Sequence, residues 1–402
     1  MESTISEIAE GVFGRNFVLK PEQMNSLITL ATTGKDVWMQ LPTGYGKSCV
    51  FTLFPLLMSK PHPSQGEEKG SLSTNDVDIV IASPEALLSA AWKSVMTKSD
   101  FCGKVCLLCF DEGHCISQWG LDFRPAYRRA CEVVTFFSGT PTLVATATAT
   151  EKVYEDVKQM LALSPVMIGK LPDRPNIYID VRHVTDKYEE ALQWLLSEVE
   201  ERGEMSRKII VFTNSLKTCA SIYSWIVSNV TTKTCRHDTE QHHVVEMLHS
   251  RTTPGKSKEI IAGISAPGGC LRVVIATVAF GLGVDIEDID IVVNWGLGNA
   301  LTYWQEVGRC ARDGRRGEAI LYCFKRSLSM CGDSIMRDMA TTTACLRATI
   351  LSQFHLPGMI MSKLESAQCR GTCEDSSQCR KCQCCSNCRL MCKSSAKGDE
   401  LC

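Results

Sequence analysis

Residues 105–127 decide the fold, and they read VCLLCF followed by DEGHCISQWGLDFRPAY. The first six residues are apolar and of strand length, which indicates a buried β-strand. The pair Asp111 and Glu112 follows that strand directly, the usual position of carboxylates that manage a metal ion and a water molecule. The polar loop beyond carries three aromatic rings that can stack on unpaired bases and an arginine that can meet a phosphate. The stretch therefore predicts nucleotide hydrolysis coupled to a single-stranded nucleic acid.

Similar strand-length runs recur along the chain, and each is followed by turn or polar residues. They lie at residues 36–40, 78–82, 142–145, 208–213, 272–277 and 290–294. Helix-length segments such as 188–202 and 215–227 lie between them. This alternation is typical of α/β proteins with parallel sheets that helices cover on both faces. The runs fall into two sets, which predict one domain at 1–165 and a second at 166–330.

The bulk numbers limit the class of protein. A chain of 402 residues is too long for one hydrophobic core. The net charge of −2 gives no support for nucleic-acid binding, so any such surface has to be a local groove. No apolar run approaches the roughly 18 residues that span a bilayer. The N-terminus has no basic and apolar signal pattern, so we expect an intracellular protein with no membrane partner.

A glycine-rich loop follows the first strand-length run. Residues 41–48 read LPTGYGKS and precede an apolar, helix-compatible run. Glycines let the backbone close around phosphates, while the N-terminus of the next helix points N–H groups at negative charge. In such a loop Lys47 contacts the β- and γ-phosphates and Ser48 ligates Mg²⁺. Leu41 stands where the strict pattern has its first glycine, and Thr43, Gly44 and Gly46 complete the loop.

Cysteines are concentrated near the end of the chain. Of the 22 cysteines, nine fall within residues 369–402. In a chain without a secretion signal this density favours a metal site over disulfides, which are the alternative. We therefore expect residues 331–402 to form a small helical, zinc-binding subdomain. The even spacing of Cys379, Cys382, Cys385 and Cys388 is one possible set of four ligands.

The pattern of these stretches resembles the RecQ family of DNA helicases. Residues 111–127 resemble motif II and the aromatic-rich loop of that family, and 41–48 resemble motif I. Further stretches resemble motif 0 (20–23), motif III (146–148), motif IV (208–214), motif V (276–285) and motif VI (305–315). The resemblance implies two RecA-like parallel-sheet domains followed by the zinc-binding subdomain.

The resemblance also implies roles for individual residues. Asp111 would position Mg²⁺, Glu112 would polarise the attacking water, and Lys47 would hold the phosphates. Arg309 and Arg312 would stabilise the transition-state charge, with Arg312 the better match to an arginine finger. The residues implied for ATP are Gln23 on the adenine, Thr43, Gly44, Gly46, Lys47 and Ser48 on the phosphates, and Asp285, which would support either the ribose or the finger residues.

Nucleic acid and zinc are assigned in the same way. The loop residues implied to contact DNA are Gln118, Trp119, Phe123, Arg124 and Tyr127. The implied zinc ligands are Cys345, Cys385, Cys388 and Cys392. The fourth ligand stays open among Cys382, Cys384 and Cys392.

The chain departs from the family pattern at several points. Residues 59–76 stand where motif Ia is expected, and no segment resembles the winged-helix domain. Gly113 stands where the family has Ala, and Cys310-Ala311 stand for Ala-Gly in motif VI. Lys20 replaces the Arg of motif 0.

These features predict an ATP-dependent DNA helicase with ATP, Mg²⁺ and Zn²⁺ as cofactors, and the resemblance alone implies its 3′-to-5′ polarity. The expected partners are single-stranded and partly duplex DNA, and the expected location is the nucleus, with the cytoplasm as the alternative. One alternative is a degraded paralogue that binds nucleic acid and zinc without productive unwinding. A second alternative is an RNA-dependent ATPase, against which the loop at 118–127 argues.

Overall fold

A computed structural model describes residues 1–59, 79–119, 125–230, 243–277, 286–359 and 384–391. The chain divides into two compact units, each considered over its described residues. The first comprises Met1–Pro172 and Phe354–Ser362, and the second comprises Asp173–Gln353 and Lys363–Cys402. The domain limits at residues 165 and 330 stay a prediction.

The first unit is built on a parallel sheet. Its strands are β1 (Val37–Gln40), β2 (Leu108–Phe110), β3 (Thr142–Thr146) and β4 (Val166–Gly169), in the order β2-β3-β1-β4. Its helices are α1 (Glu2–Phe13), α2 (Pro21–Thr33), α3 (Ser48–Ser59), α4 (Pro84–Leu87), α5 (Ala90–Met96), α6 (Ser99–Cys102), α7 (His114–Trp119), α8 (Ala130–Phe136) and α9 (Glu151–Met160).

Helices cover both faces of this sheet. On one face α1, α2 and α3 bury Ile5, Leu27 and Phe54 against Val37 and Met39 of β1. On the other face Trp38 packs edge-on against Tyr154 of α9, with ring centroids 4.9 Å apart. A strand that is covered on both sides is mostly apolar, which explains the run of Val37, Trp38 and Met39 in the fully buried β1.

The run at 78–82 was predicted to be a strand, and this prediction is wrong over the part that the structure describes. Residues 79–82 take no strand conformation, and Ile79, Val80 and Ile81 are 39%, 50% and 90% exposed. β-branched residues favour strands because they pack on a pleated, half-buried surface. Here no described strand pairs with this run, so its side chains have no sheet surface on which to pack.

The second unit contains a larger parallel sheet. Its strands are β5 (Ile177–His183), β6 (Ile209–Thr213), β7 (Val245–Leu248), β8 (Val273–Thr277), β9 (Ile291–Trp295) and β10 (Gly317–Cys323), in the order β5-β10-β9-β6-β8-β7. Its helices are α10 (Tyr188–Ala191), α11 (Gln193–Arg202), α12 (Leu216–Asn229), α13 (Pro254–Ser265), α14 (Ala300–Val307), α15 (Lys325–Met330), α16 (Ser334–Thr341), α17 (Leu346–Leu351) and α18 (Ser386–Leu390).

Two parallel sheets with helices around them confirm the predicted α/β fold class. The helix predicted at 188–202 is divided at Leu192, which is fully buried in the core of the second unit. Across the described ranges of the chain, no helix combines the length and the apolar character that crossing a bilayer needs.

Candidate functional site

The glycine-rich loop at residues 41–48, which we call the phosphate loop, lies between β1 and α3. Gly44 and Gly46 have φ of +74° and +85°, which glycine adopts readily. A Cβ on Gly46 would lie 2.8 Å from Nε2 of Gln23, so a side chain is excluded there as well. Nζ of Lys47 donates to the carbonyl of Leu41 at 3.3 Å, which turns the side chain back over the loop.

The side-chain amide of Gln23 binds the backbone of this loop. Its side chain is 2% exposed, and Nε2 donates to the carbonyls of Tyr45 and Gly46 at 2.8 and 3.0 Å. Its Oε1 accepts from the backbone N–H of Lys20 at 2.8 Å. The amide is therefore engaged with protein groups at both ends. Adenine recognition by Gln23 stays a prediction, and it would require at least one of these hydrogen bonds to be exchanged.

Lys20 and Tyr45 tie the start of α2 to the same loop. Nζ of Lys20 donates to the carbonyl of Tyr45 at 3.1 Å and lies 3.9 Å from the centroid of its ring. The hydroxyl of Tyr45 donates to Oε2 of Glu22 at 2.5 Å. Burial and the neighbouring Glu22 raise the pKa of Tyr45, so it stays a donor. The Lys that replaces the family's Arg thus has a defined place in the structure.

The acidic pair reaches the same edge of the sheet. β2, β3 and β1 are parallel neighbours, so their carboxyl ends bring Asp111, Thr146 and the phosphate loop together. Burial and the charge of Glu112 raise the pKa of Asp111, whereas the charge of Lys47 lowers it. Lys47 and Asp111 are therefore within electrostatic range of each other. This is the arrangement that a phosphate and a divalent cation require.

Glu112 has a strained backbone. Its φ is +49°, in the left-handed region, and its N–H is held by Oδ1 of Asp111 at 2.9 Å. A non-glycine residue in this region costs about 1–3 kcal/mol, and such residues are concentrated at functional sites.

His114 connects the acidic pair to β3. It is 3% exposed, and its Nδ1 lies 3.3 Å from Oε2 of Glu112 and 3.0 Å from Oγ1 of Thr146. Oγ1 of Thr146 also donates to the carbonyl of Thr148 at 3.0 Å. His114 is the first residue of α7, which leads into the aromatic loop. The side chains of motifs II and III are thus joined in one hydrogen-bonded path.

Gly113 has no room for a side chain. A Cβ there would lie 2.3 Å from Cγ1 of Val144, a fully buried residue of β3. Because valine is stiff about χ1, it cannot turn aside cheaply. Gly113 stands where the family has Ala, and the side chain of Val144 occupies the space that the alanine methyl group would need.

We expect Gly113→Ala to lower the free energy of unfolding by about 1–3 kcal/mol, the usual cost of overpacking. Adding Val144→Ala should recover part of that loss, with a coupling energy of about 0.5–3 kcal/mol. Urea unfolding of the single and double variants measures this. Gly11→Ala is the control, because a Cβ on Gly11 meets nothing within 4 Å. Additive losses at positions 113 and 144 would contradict the clash.

The residues assigned to nucleic acid are placed in part. Gln118 is half-buried on α7, Trp119 is the last residue of that helix, and Tyr127 is half-buried in a 3₁₀ turn at Pro125–Arg129. Phe123 and Arg124 lie outside the described residues. Their contacts with DNA stay a prediction.

The two candidate arginine fingers lie just beyond α14 in the second unit. Arg309 and Arg312 are half-buried, and Nε of Arg312 donates to the carbonyl of Gly308 at 3.3 Å. Before them Glu306 is 5% exposed, and burial raises its pKa to about 8. Nδ2 of Asn294 donates to its Oε2 at 2.5 Å. Asp285, assigned to the ribose or the finger residues, lies outside the described residues.

Four buried cysteines come together in the second unit. Sγ atoms of Cys345, Cys384, Cys385 and Cys388 all lie within 4.8 Å of one another. The distances are 3.5 Å for 345–384, 3.5 Å for 384–388 and 4.0 Å for 345–385. A tetrahedral zinc ion with Zn–S bonds of about 2.3 Å needs sulfur atoms about 3.8 Å apart. The group therefore fits zinc.

This group resolves part of the sequence assignment. Cys345, Cys385 and Cys388 are together as the resemblance implies, and Cys384 is the fourth member among the described residues. Cys392, assigned as the fourth ligand, lies outside the described residues, as does Cys382. Hydrogen bonds from neighbouring thiols lower the pKa of Cys385, which favours the thiolate form that binds zinc.

Comparison with known proteins finds similarity to helicases. The DEAD/DEAH box helicase model matches residues 56–157, and the helicase conserved C-terminal domain model matches residues 187–314. The ATP-dependent DNA helicase Q-like 2 of Arabidopsis thaliana is 29% identical over 328 residues, which cover 77% of this chain and 42% of that protein. The curated proteins that this chain matches are RecQ-family helicases.

Two further RecQ relatives agree with this. The ATP-dependent DNA helicase Q5 of Mus musculus is 26% identical over 84% of this chain and 38% of its own length. The ATP-dependent DNA helicase RecQ of Pasteurella multocida is 25% identical over 80% of this chain and 52% of its own length. The chain thus spans about half or less of the length of these curated relatives.

Solved helicase structures support the fold. Mss116p bound to ssRNA and AMP-PNP aligns with a TM-score of 0.60 at 17% identity, over 81% of this chain and 74% of that one. S. cerevisiae Dbp5 bound to RNA and ADP BeF3 aligns with a TM-score of 0.54 at 17% identity, over 84% of this chain and 93% of that one. The two parallel sheets of this chain are therefore RecA-like in fold.

Proposed function

We propose that this protein is an ATP-dependent DNA helicase of the RecQ family that couples ATP hydrolysis to 3′-to-5′ movement along single-stranded DNA. The observation that carries the proposal is the meeting of three groups at one sheet edge. These are the phosphate loop after β1, the acidic pair after β2 and Thr146 at the end of β3. This combination supports nucleotide hydrolysis, and the path through His114 supports its coupling to the loop beyond α7.

The assigned residues divide the chemistry between them. Lys47 and the N–H groups of the loop bind the β- and γ-phosphates. Glu112 accepts a proton from the attacking water as the general base. Asp111 and Ser48 would hold Mg²⁺, whose charge, when bound, offsets that of the phosphates. Arg309 and Arg312 are assigned to the charge that develops in the transition state.

His114 is the residue that we assign to coupling. It joins the base Glu112 to Thr146, and it begins the helix that ends at Trp119. A strand bound at the aromatic loop would bias the orientation of α7 and therefore of Glu112. DNA is the proposed polymer and RNA the alternative, and the expected nuclear location, with the cytoplasm as the alternative, belongs to the same proposal.

Lys47→Ala is expected to lower the DNA-stimulated rate of ATP hydrolysis by at least about 10²-fold, because one charged group on the transferring phosphates is lost. The measurement is steady-state ATP hydrolysis with no polymer, with single-stranded DNA and with RNA of the same sequence. Lys35→Ala is the matched control, since Lys35 is an exposed lysine outside the loop.

The three conditions separate the alternatives. Stimulation by DNA above RNA, lost in Lys47→Ala and kept in Lys35→Ala, supports the helicase. Stimulation by RNA alone would favour an RNA-dependent ATPase. No hydrolysis by a folded, zinc-loaded protein would favour a paralogue that binds nucleic acid without productive unwinding.

A further inference from the structure

Arg174 lies between Pro172 and Pro175 in the chain segment before β5. Its guanidinium group donates to backbone carbonyls of motif VI. Its Nη1 donates to the carbonyl of Gly308 at 3.1 Å. Its Nη2 donates to the carbonyls of Cys310 and Ala311 at 2.9 and 2.8 Å. One half-buried cation therefore holds three backbone carbonyls of the turn that contains Arg309. A cation also suits this place because the turn follows the C-terminus of α14.

The turn at residues 308–311 has a strained backbone that requires stabilising contacts. Ala311 has φ of +45°, in the left-handed region that favours the glycine of the family pattern. Its N–H donates to the carbonyl of Ile289 at 2.8 Å, and that of Asp313 donates to the carbonyl of Glu287 at 3.1 Å. Nδ2 of Asn176 adds a second donor to the carbonyl of Ala311, at 3.0 Å. Side chains from residues 173–177 thus stabilise a strained backbone from one side.

The segment that supplies these donors is itself fixed. Arg347 is 2% exposed, and its Nη1 donates to Oδ1 of Asp173 at 2.8 Å and to the carbonyl of Arg174 at 2.7 Å. Its Nη2 donates to the carbonyl of Ile177 and, at 3.4 Å, to that of Cys384 in the cysteine group. The backbone of residues 173–177 is therefore held by Arg347, while the side chain of Arg174 holds the turn.

We propose that Arg174 is a positioning residue for Arg309 and Arg312, acting through the carbonyls of residues 308–311. This inference rests on the proposed function, in which those two arginines stabilise the transition state. Arg312 is positioned directly, because its Nε donates to the carbonyl of Gly308 that Arg174 also binds. Burial and the nearby charge of Arg312 lower the pKa of Arg174, which agrees with their proximity.

The first test is independent of activity. Amide hydrogen exchange of the full-length chain is compared between wild type, Arg174→Ala and Arg182→Ala. In Arg174→Ala the amides of Ala311 and Asp313 should exchange about tenfold faster, the effect of losing one hydrogen bond to a charged group. Arg182 is the matched control, an arginine of the same unit whose side chain pairs with the carboxylates of Asp180 and Glu318. Unchanged protection of these amides in Arg174→Ala would overturn the proposal.

The second test separates positioning from general stability. With ATP and single-stranded DNA, Arg174→Ala should lower kcat roughly 10- to 100-fold while KM for ATP stays within about twofold, as expected when catalytic groups are misplaced. In the Arg312→Ala background, Arg174→Ala should lower kcat by a smaller factor than it does in the wild type, because only the positioning of Arg309 remains to be lost. Multiplying losses would overturn the proposal, because Arg174 would then act independently of Arg312.

Arg174→Lys tests whether the loss of kcat in Arg174→Ala comes from a folding defect. Lysine keeps the charge and the stem but loses the planar fork that reaches three carbonyls. It should give a kcat defect close to that of Arg174→Ala with a thermal midpoint close to wild type. A wild-type kcat for Arg174→Lys would overturn the role of the fork. If the wild type hydrolyses no ATP, the proposed function fails, and the exchange experiment alone decides whether Arg174 holds the turn.

Discussion

Glu112→Gln should lower the rate of DNA-stimulated ATP hydrolysis by roughly 10²–10⁴-fold, the usual contribution of a general base. Gln has the same shape and can keep the neighbouring contact with His114, but its amide cannot accept the proton of the attacking water. The strained φ of +49° is a property of the backbone at this position and should persist. Binding of ATP should therefore be nearly unchanged, and the defect should lie in kcat.

The measurement pairs single-turnover hydrolysis with the affinity for a non-hydrolysable ATP analogue. Glu155→Gln is the matched control, because Glu155 is a carboxylate of α9 that forms a surface pair with Lys158. We expect the control to hydrolyse ATP at the wild-type rate. Full turnover by Glu112→Gln would remove Glu112 from the role of base, and a large loss of nucleotide affinity would indicate a binding role instead.

Cys385→Ser is expected to abolish binding of one zinc ion per chain and to lower the free energy of unfolding by about 4 kcal/mol or more, as losses of structural metals do. The physical reason is the place of the group in the second unit. Cys385 forms an isolated parallel bridge to Ile179 of the edge strand β5. Arg347 also reaches the carbonyl of Cys384, so the cysteine group and the segment at 173–177 are linked.

Zinc content by atomic emission and unfolding in urea measure both effects. Cys131→Ser is the control, since Cys131 lies on α8 in the first unit, outside the group. Comparing Cys384→Ser with Cys392→Ser identifies the fourth ligand, and the structure favours Cys384. Full zinc content in Cys385→Ser would contradict the assignment of this group.

The sequence alone was enough for the elements with strong local signals. The runs at β1, β3, β6, β8 and β9 are fully or almost fully buried, and such strands can be recognised because most of their positions are apolar. The phosphate loop could be recognised because its chemistry requires glycines, Lys47 and Ser48 in a fixed local order. The acidic pair and the C-x₂-C pair of Cys385 and Cys388 were likewise found from short spacings, whereas Cys345 was assigned through the resemblance to the family.

The strands β4, β5, β7 and β10, which lie at or next to the sheet edges, carried weaker signals and were not predicted, whereas the edge strand β2 lies within the predicted run at 105–110. β5, with the sequence IYIDVRH, mixes polar and apolar residues, because parts of it stay accessible at the end of the sheet. In contrast, residues 79–82 have strand propensity but no described neighbour to pair with. Propensity is local, whereas pairing depends on residues far away in the chain.

The sequence by itself determined the class of fold, the resemblance to RecQ-family helicases and the candidate groups of the proposed nucleotide site. The tertiary structure decided how those groups are held: Gln23 under the phosphate loop, Val144 against Gly113, Cys384 in the cysteine group, and Arg174 on the carbonyls of motif VI. Each of these contacts joins residues that are 22 to 137 positions apart, except within the cysteine cluster itself. Such contacts leave no periodic or local pattern, because only the packed chain brings the two partners together.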